Sequence, residues 1–331
     1  MRRFIYILKR IGGFDYKRMF MTAKKISKIC HKPVLFIVFD MIYCAIQFGA
    51  GYMDYFEFEF YLLNNLQRKS YLTVEMNNRI IANYNDKSEM KKFSNKTLFN
   101  KIFKNYIHRD YIDLNHADKT EFKNFCSDKM MVVCKKPCSM GGKGVEFLEC
   151  NNDLDKAYDD LKNGGYTLIE EYIIQDPMMN KLYNGSVNTL RMITFVDDNH
   201  EVQLLNSVVR IGNGGVVDNF SSGGMYAFVN EEGLVITPAI DEEGNHYTYH
   251  PISNTKIEGF KIPKFIEAVN LVKNAALVID KVRYVGWDVA IGEDGPLILE
   301  GNEYSGIFQK KPSLNKDKLG LLPLYQKYMK L

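Results

Sequence analysis

The chain of 331 residues has little cysteine, and its six cysteines contain no CxxC pair. Zinc modules are usually built from such closely spaced cysteines together with histidines, and no histidine lies near Cys134 and Cys138. Nothing in the spacing indicates a disulfide framework either. We therefore predict reduced, buried thiols and no zinc site.

The chain also lacks an apolar run long enough to read as a spanning helix. Lys9 and Arg10 interrupt the first apolar run, which is too short for a signal peptide. Residues 34–50 are the most apolar stretch, but they are short for a span and contain Asp40 and Gln47. We predict a buried or interfacial helix there, and a cytoplasmic location.

Acidic residues are nearly absent from the first 32 positions, which contain ten Lys or Arg residues and only Asp15 as an acid. Phe4, Ile7, Leu8 and Ile11 recur at helical spacing, which is typical of an amphipathic helix. Such a segment could contact an anionic membrane, where each basic residue contributes about 1 kcal/mol. The alternative is an ordinary helix with a solvated basic face. The net charge is only +3, and we expect no nucleic-acid partner.

Residues 284–302, YVGWDVAIGEDGPLILEGN, carry the clearest chemical pattern. Two apolar strands, 284–291 and 296–302, are predicted on either side of a Glu-Asp-Gly turn. Glu300 and Asn302 then share one face, and Asp288 joins them only if the hairpin contains an odd loop or a bulge. Two carboxylates and an amide oxygen are ligands that Mg²⁺ prefers. The alternative is a surface hairpin with solvated acids, although its apolar flanks favour a buried one.

Residues 130–150, MMVVCKKPCSMGGKGVEFLEC, predict two strands around a glycine-rich loop. Glycines let backbone N–H groups approach a phosphate closely, and a lysine such as Lys136 can neutralise phosphate charge. The loop is not a Walker A motif, because it lacks that spacing and the following Ser or Thr. A plain hairpin turn would explain the same residues.

Three further segments place polar residues in apolar or small-residue settings. The strand LIEEYI at 168–173 has acids at its centre, and Arg191 lies in the predicted strand 185–195. An arginine in such a setting suits a buried anion site, or else a structural ion pair. The segment DNFSSGG at 218–224 is typical of an anion-binding nest or a mobile lid.

The order of these motifs resembles the ATP-grasp superfamily over about residues 94–308. The form KPCSMGGKGV and the upstream segment FGAGYMDYFEFEFY are most similar to its sugar-transfer-associated, or teichuronopeptide-type, branch. The resemblance implies an α+β fold in which two lobes sandwich ATP, with a mainly helical N-terminal extension. It implies residues 1–93 as that extension, 94–175 as the lobe with the glycine-rich loop, and 176–331 as the lobe with the metal and acceptor sites.

The resemblance also implies roles for individual residues. Lys96 and Lys136 match the lysines that hold the phosphates; Lys135 is adjacent, but the family's lysine directly precedes proline. The other residues matched to ATP binding are Ser139, Gly141 and Gly142 in the loop, Glu170, Glu171, Tyr172 and Ile173 in the hinge, and Asp176 for the ribose. Asn219, Ser222, Gly223 and Gly224 match the loop that faces the acceptor. Asp288, Glu300 and Asn302 match ligands of Mg²⁺, with two ions expected.

The reaction that this resemblance implies is ligation of a carboxylate to an amine. Arg191 and Lys136 would stabilise the phosphoryl group as ATP converts the carboxylate into an acyl phosphate, which the amine then attacks. The branch implies a small-molecule or glycan-precursor carboxylate from surface polysaccharide synthesis. Two alternatives stay open: a phosphotransferase of the same fold, and a nucleotide-binding scaffold without turnover.

Overall fold

The structure is a computed structural model that describes residues 15–137 and 144–331, apart from the side chain of Ser221. The predicted N-terminal amphipathic helix, with Phe4, Ile7, Leu8 and Ile11, lies outside the described residues. The chain forms two compact units. One comprises Met1–Ile81 and Gly306–Leu331, and the other comprises Ala82–Ser305.

The first unit is helical. Asp15 caps its first helix by accepting from the Arg18 N–H at 2.8 Å, and the helix ends at His31, which has a left-handed backbone. Pro33 then precedes the second helix, which ends at Gly49, also left-handed. The helices are α1 (Tyr16–Cys30), α2 (Val34–Phe48), α3 (Tyr52–Glu57), α4 (Asn65–Arg68) and α5 (Val74–Tyr84, whose last three residues belong to the other unit), with a 3₁₀ turn at Phe60–Leu62.

The C-terminal segment packs into this same unit. Gln309 exchanges hydrogen bonds with the backbone of Leu72, and the Leu322 N–H donates to Ser70 O at 2.9 Å. A 3₁₀ turn (Pro312–Leu314) and a helix (Leu322–Tyr328) complete it. The compact units therefore divide the chain differently from the three predicted parts, because contacts distant in sequence attach residues 306–331 to the N-terminal unit.

The second unit begins with three short helices and a small four-stranded sheet. All pairs in this sheet are antiparallel, in the order β1-β4-β2-β3. Two helices pack with it around Phe122, Leu161 and Ile169. The elements are α6 (Lys87–Ser94), α7 (Lys96–Ile102), α8 (Lys104–Ile107), β1 (Tyr111–Asp113), α9 (Lys119–Cys126), β2 (Met131–Lys135), β3 (Val145–Glu149), α10 (Leu154–Asn163) and β4 (Leu168–Glu171).

A seven-stranded antiparallel sheet follows in the same unit, in the order β11-β10-β5-β6-β7-β8-β9. The predicted strands at 284–291 and 296–302 are confirmed as its first two members, with ends shifted by one residue. The elements are α11 (Pro177–Asn180), β5 (Thr189–Val196), β6 (Val202–Ile211), a 3₁₀ turn (Phe220–Ser222), β7 (Met225–Phe228), β8 (Ala239–Ile240), β9 (His246–Tyr247), α12 (Phe265–Ala276), β10 (Tyr284–Gly292) and β11 (Gly295–Asn302).

Trp287 anchors the core beneath this sheet. Its ring is fully buried against Phe93 and Phe103, and its indole N–H donates to Thr194 Oγ1 at 2.8 Å. Gly301 lies directly opposite Trp287, and a Cβ at Gly301 would come within 2.7 Å of the Phe93 ring. The glycine between Glu300 and Asn302 is therefore required by close packing.

The predicted α+β class is confirmed. The prediction for residues 34–50 is also confirmed, since α2 buries one face and exposes the other. Within the described residues, no single helix is long and apolar enough to cross a membrane; α1 and α2 pass that test only as a pair bent by 115°. The five cysteines in the described part of the chain are free thiols, as predicted, but only Cys44, Cys126 and Cys134 are buried, whereas Cys30 and Cys150 are half-buried.

Candidate active site

A cavity of about 420 Å³ lies among residues from both sheets of the second unit. Its walls are largely apolar, with Met131, Val133 and Phe147 from the small sheet, Leu299 from the large one, and Val187 from the segment before β5. Charged residues from β2, β4 and the segment after β6 also line it. An apolar cavity with a few polar groups suits a nucleotide base.

A buried ionic cluster closes one side of this cavity around Glu170. Arg109 donates to Glu170 Oε1 at 2.6 Å, Asn100 donates to the same oxygen at 2.5 Å, and Lys135 pairs with Oε2. Burial alone would raise the pKa of Glu170, but the charges of Arg109 and Lys135 outweigh burial and hold the pKa well below its usual range. Glu170 is therefore ionised and fixed in place.

Arg109 connects the small sheet with β11. Its second terminal nitrogen donates to Ile298 O at 2.6 Å, next to the residues that continue into Glu300. No local pattern indicates this role of Arg109, since its partners are 61 and 189 residues away along the chain.

Lys135, rather than Lys136, points toward the cavity. Met131, Val133 and Lys135 alternate along β2 and share the face that lines it. The Lys136 ammonium lies 4.9 Å from the centre of the Tyr166 ring, on the other face. The phosphate-binding role of Lys136 thus stays a prediction, and Lys135 is a second candidate. Lys96 begins α7, and its N–H donates to Pro137 O at 3.3 Å, so it lies beside the end of this segment.

The hinge residues span the end of β4, which contains Glu170 and Glu171, and the two positions after it. Glu171, Tyr172 and Ile173 line the cavity together with Glu170, as expected of residues that would bind a base. Asp176 instead caps α11 by accepting from the Met178 N–H at 2.8 Å, and its other oxygen lies 3.9 Å from Lys264. These contacts give Asp176 a structural role, and its contact with ribose stays a prediction.

Asp288 and Glu300 are directly opposed across β10 and β11, and Asn302 lies two residues further along β11. A two-residue turn pairs Gly292 with Gly295, and a bulge between Asp288 and Val289 then corrects the register. The expectation of an odd loop or a bulge is thus met by the bulge. Asn302 Nδ2 lies 3.5 Å from Glu300 Oε1, which keeps the three side chains together.

Two arginines hold the Asp288 carboxylate. Arg191 donates to both of its oxygens, with the Oδ2 contact at 3.0 Å, and Arg210 donates to Oδ2 at 3.0 Å. Burial would raise the pKa of Asp288, but Arg191 and Arg210 lower it below its usual value. Burial and the negative charge of Asp288 together raise the pKa of Glu300. The pair is thus an ionised aspartate beside a glutamate that resists ionisation.

This donor set fits Mg²⁺. Within the described ranges, no group of three or more His, Cys, Asp or Glu residues is placed to hold a metal ion. The predicted set has two carboxylates and one amide oxygen, the all-oxygen chemistry of a hard cation. Burial and the charge of Asp288 raise the pKa of Glu300, and a divalent cation beside the two carboxylates would offset both effects. Asp288, Glu300 and Asn302 would hold the ion.

The loop at 218–224 is tied to this set through Arg210. Its other terminal nitrogen donates to Asp218 Oδ1 at 2.8 Å, and Asp218 also accepts from the Thr189 N–H at 2.9 Å. Asn219 O then accepts from the N–H groups of Ser222 and Gly224, so the loop turns back tightly. Gly223 has φ +91°, and a Cβ at Gly224 would collide with Asp218 O. The proposed acceptor role of these four residues stays a prediction.

Ser139, Gly141 and Gly142 of the predicted glycine-rich loop lie outside the described residues. On either side of them, β2 and β3 are paired antiparallel, with Lys135 opposite Val145.

The family model described as "Sugar-transfer associated ATP-grasp" matches residues 75–311. Comparison with curated proteins gives no match.

Similar solved structures include the ATP-grasp ligase PsnB complexed with a precursor variant, Mg and ADP. That structure is 15% identical, with a TM-score of 0.43, and the match covers 74% of this chain and 60% of PsnB. N5-carboxyaminoimidazole synthetase from Staphylococcus aureus, complexed with ADP, is 10% identical, with coverages of 64% and 45% and a TM-score of 0.42.

The biotin carboxylase domain of 2-oxoglutarate carboxylase from Hydrogenobacter thermophilus is 15% identical, with coverages of 64% and 40% and a TM-score of 0.42. The chain thus spans less than two thirds of the length of each of these three proteins.

The protein is an ATP-grasp protein. Two antiparallel sheets contribute to one nucleotide-sized cavity, and the larger sheet contains the hairpin of β10 and β11 with Asp288 and Glu300, called the acidic hairpin below. Within that superfamily, the chain belongs to the sugar-transfer-associated ATP-grasp family. The predicted fold and family are therefore confirmed.

Proposed function

We propose that the protein is an ATP-dependent ligase that joins a carboxylate to an amine through an acyl phosphate, with release of ADP and phosphate. The observation that carries the proposal is the register of β10 and β11, which sets Asp288 against Glu300 beside Arg191. These three charged side chains lie in the same unit as the cavity that suits a nucleotide base. The family match supports the same reading.

The proposed chemistry proceeds in two steps. A carboxylate oxygen of the substrate attacks the γ-phosphorus of ATP, and ADP leaves. The amine nitrogen then attacks the carbonyl carbon, phosphate leaves with the former carboxylate oxygen, and a proton is released. When bound at Asp288, Glu300 and Asn302, Mg²⁺ would neutralise charge on the phosphates.

The chain's own residues would bind and orient the reactants. Lys135 and Glu170 present a fixed charge pair at the cavity, where a base and its phosphates need both donors and acceptors. Arg191 adds positive charge beside the acidic pair, where charge develops on the transferring phosphoryl group. Lys96 and Lys136 are the further candidates for phosphate binding.

We further propose that the carboxylate belongs to a glycan precursor or to an amino acid joined to one, used in surface polysaccharide synthesis. The family description, which links these proteins with sugar transfer, supports this substrate class. A reaction that consumes ATP fits a cytoplasmic location, which we keep as part of the proposal.

A hydroxylamine trap tests the ligase directly. The protein is incubated with MgATP, hydroxylamine and a panel of amino acids and uronic acids, and ADP and hydroxamate are measured. The account predicts hydroxamate with one carboxylate, lost in Glu300→Gln and kept in Glu293→Gln, a control in the exposed turn of the same hairpin. ADP release with a phosphorylated hydroxyl and no hydroxamate would instead establish a phosphotransferase, and nucleotide binding without ADP release would indicate a scaffold.

A further inference from the structure

Helix α2 has two apolar faces, and only one of them is packed. Ile37, Met41, Cys44 and Phe48 are buried in the core of the helical unit. On the opposite face, side chains spaced three and four residues apart form an apolar stripe that is between 41% and 69% exposed. The apolar stripe consists of Leu35, Phe36, Phe39, Ile42, Tyr43 and Ile46.

No free charge on α2 opposes contact of this stripe with an apolar phase. Asp40 is the one charged residue in the helix sequence, and its two oxygens accept from Arg68 at 2.8 and 2.6 Å. The Tyr55 hydroxyl donates to the same carboxylate at 2.6 Å. The charge of Asp40 is thus neutralised on the inner side of the helix. A continuous apolar surface of this kind marks an interaction site.

Exposed basic residues precede the stripe in the chain, and one of them borders it. Residues 16–32 contain six of them and no acid: Lys17, Arg18, Lys24, Lys25, Lys28 and Lys32, called the basic face below. The Lys32 ammonium lies 5.5 Å from the centre of the Phe36 ring, which places a positive charge at the border of the apolar stripe. In α1, the Lys24 ammonium lies 5.0 Å from the centre of the ring of Phe20, an aromatic residue outside the apolar stripe.

The apolar stripe and the basic face together favour one kind of partner over another. A second copy of this chain docked symmetrically on the stripe would bring two basic faces together, and their repulsion would oppose the contact. An anionic lipid surface satisfies both features, because its phosphates attract the basic face while its acyl region accepts the apolar stripe. At about 1.5 Å per residue, a helix of 15 residues is roughly 22 Å long and lies along such a surface by its free face.

We propose that the apolar stripe and the basic face of the helical unit form a docking surface for an anionic membrane. The surface is independent of the proposed ligase reaction. Within it, the stripe enters the interface and the basic face contacts the lipid phosphates.

Sedimentation with vesicles tests the proposal on the full chain. The vesicles contain phosphatidylcholine alone or with a quarter of phosphatidylglycerol, at about 0.1 M salt, where the Debye length is about 10 Å. The wild-type protein is expected to bind the anionic vesicles and to lose most of that binding at about 1 M salt, where screening is strong. Failure of the wild-type protein to bind anionic vesicles would overturn the proposal.

Two matched sets of variants locate the surface. The triple change Leu35→Gln, Phe39→Gln and Ile46→Gln is expected to reduce partition by about 100-fold or more, because each side chain no longer enters the apolar region. The control changes three exposed apolar residues elsewhere, Ile252→Gln, Ile266→Gln and Leu319→Gln, and should bind as the wild type does.

For the basic face, Lys24→Gln with Lys28→Gln should weaken binding by about fivefold per residue, and Lys101→Gln with Lys156→Gln should not. All four variant proteins should melt within a few degrees of the wild type, since surface changes cost little. Equal loss in the control sets would overturn the proposal, and so would a wild-type dimer in sedimentation velocity that the triple change dissolves.

Discussion

Arg210 donates one hydrogen bond to Asp288 and another to Asp218, so a single guanidinium joins the acidic hairpin to the loop at 218–224. Burial opposes its charge, but the two carboxylates outweigh that cost and raise its pKa, so Arg210 stays protonated. A change at Arg210 should therefore affect both Asp288, which we propose as a metal ligand, and the loop.

Arg210→Lys keeps the charge but cannot reach both carboxylates. We expect kcat for ADP release to fall by about 10- to 100-fold, as is typical when a hydrogen-bond partner of a metal ligand is lost. We also expect a higher Mg²⁺ requirement, which a purely structural role would not produce. Arg283→Lys is the control, since Arg283 is another arginine of this unit that pairs with a carboxylate, Asp198. Similar kinetics in both variants would remove Arg210 from the positioning of Asp288.

Lys135, the last residue of β2, lines the cavity, whereas the next residue, Lys136, lies against the Tyr166 ring. Lys135→Gln should weaken ADP binding by roughly 10-fold or more, since a charged hydrogen bond contributes about 1.5 to 3 kcal/mol. Glu170 keeps Arg109 as a partner in this variant, so the fold should survive. Titration calorimetry with ADP on Lys135→Gln and on Lys136→Gln shows which of the two changes weakens ADP binding more. A larger loss in Lys136→Gln would return the main role to the lysine next to proline.

Glu300 should limit stability at neutral pH. Because its pKa is raised above the ordinary 4.5, the folded state retains the proton where the unfolded state has lost it. Stability therefore falls as pH rises from about 4.5 through the raised pKa. Glu300→Gln should raise the free energy of unfolding at pH 8 and leave it unchanged at pH 4.

The same variant should lose MgATP-dependent ADP release, so that stability and activity change in opposite directions. Chemical unfolding at the two pH values, without metal, measures the stability. A Glu300→Gln protein less stable than the wild type at pH 8 would contradict the unfavourable ionisation assigned to Glu300.

Glu57 in the helical unit offers an independent pH test. Burial and the nearby charge of Asp54 raise its pKa to about 7. The unfavourable effect of this group appears as pH rises from 4.5 through 7, so Glu57→Gln should stabilise the protein at pH 8 by about 1 to 3 kcal/mol and leave stability at pH 4 unchanged. The exposed Glu242→Gln serves as the control. An equal effect at both pH values would point to packing rather than titration.

The acidic hairpin could be predicted from sequence because its information is local. Strand limits follow from the apolar runs, and the need for a bulge follows from asking Asp288 to share a face with Glu300. The start of α7 at Lys96 likewise depends on local information, since the Asn95 side chain accepts from the Leu98 N–H.

The partners of Asp288 could not be read in the same way. Arg210 sits in the strand VVRI, and only the strand order β10-β5-β6 brings it to a carboxylate 78 residues away. The choice between Lys135 and Lys136 depends on the pairing of β2 with β4, which no local pattern encodes. The attachment of residues 306–331 to the N-terminal unit is likewise a contact between distant segments.

Transfer of an oxygen isotope tests the central claim most directly. Once the hydroxylamine trap has identified the carboxylate, that substrate is labelled with ¹⁸O in both oxygens and incubated with MgATP and the amine, and the released phosphate is examined by ³¹P NMR. The account predicts one ¹⁸O atom in each phosphate for each amide formed, because the acyl phosphate leaves with a carboxylate oxygen. Amide formed with unlabelled phosphate would contradict it.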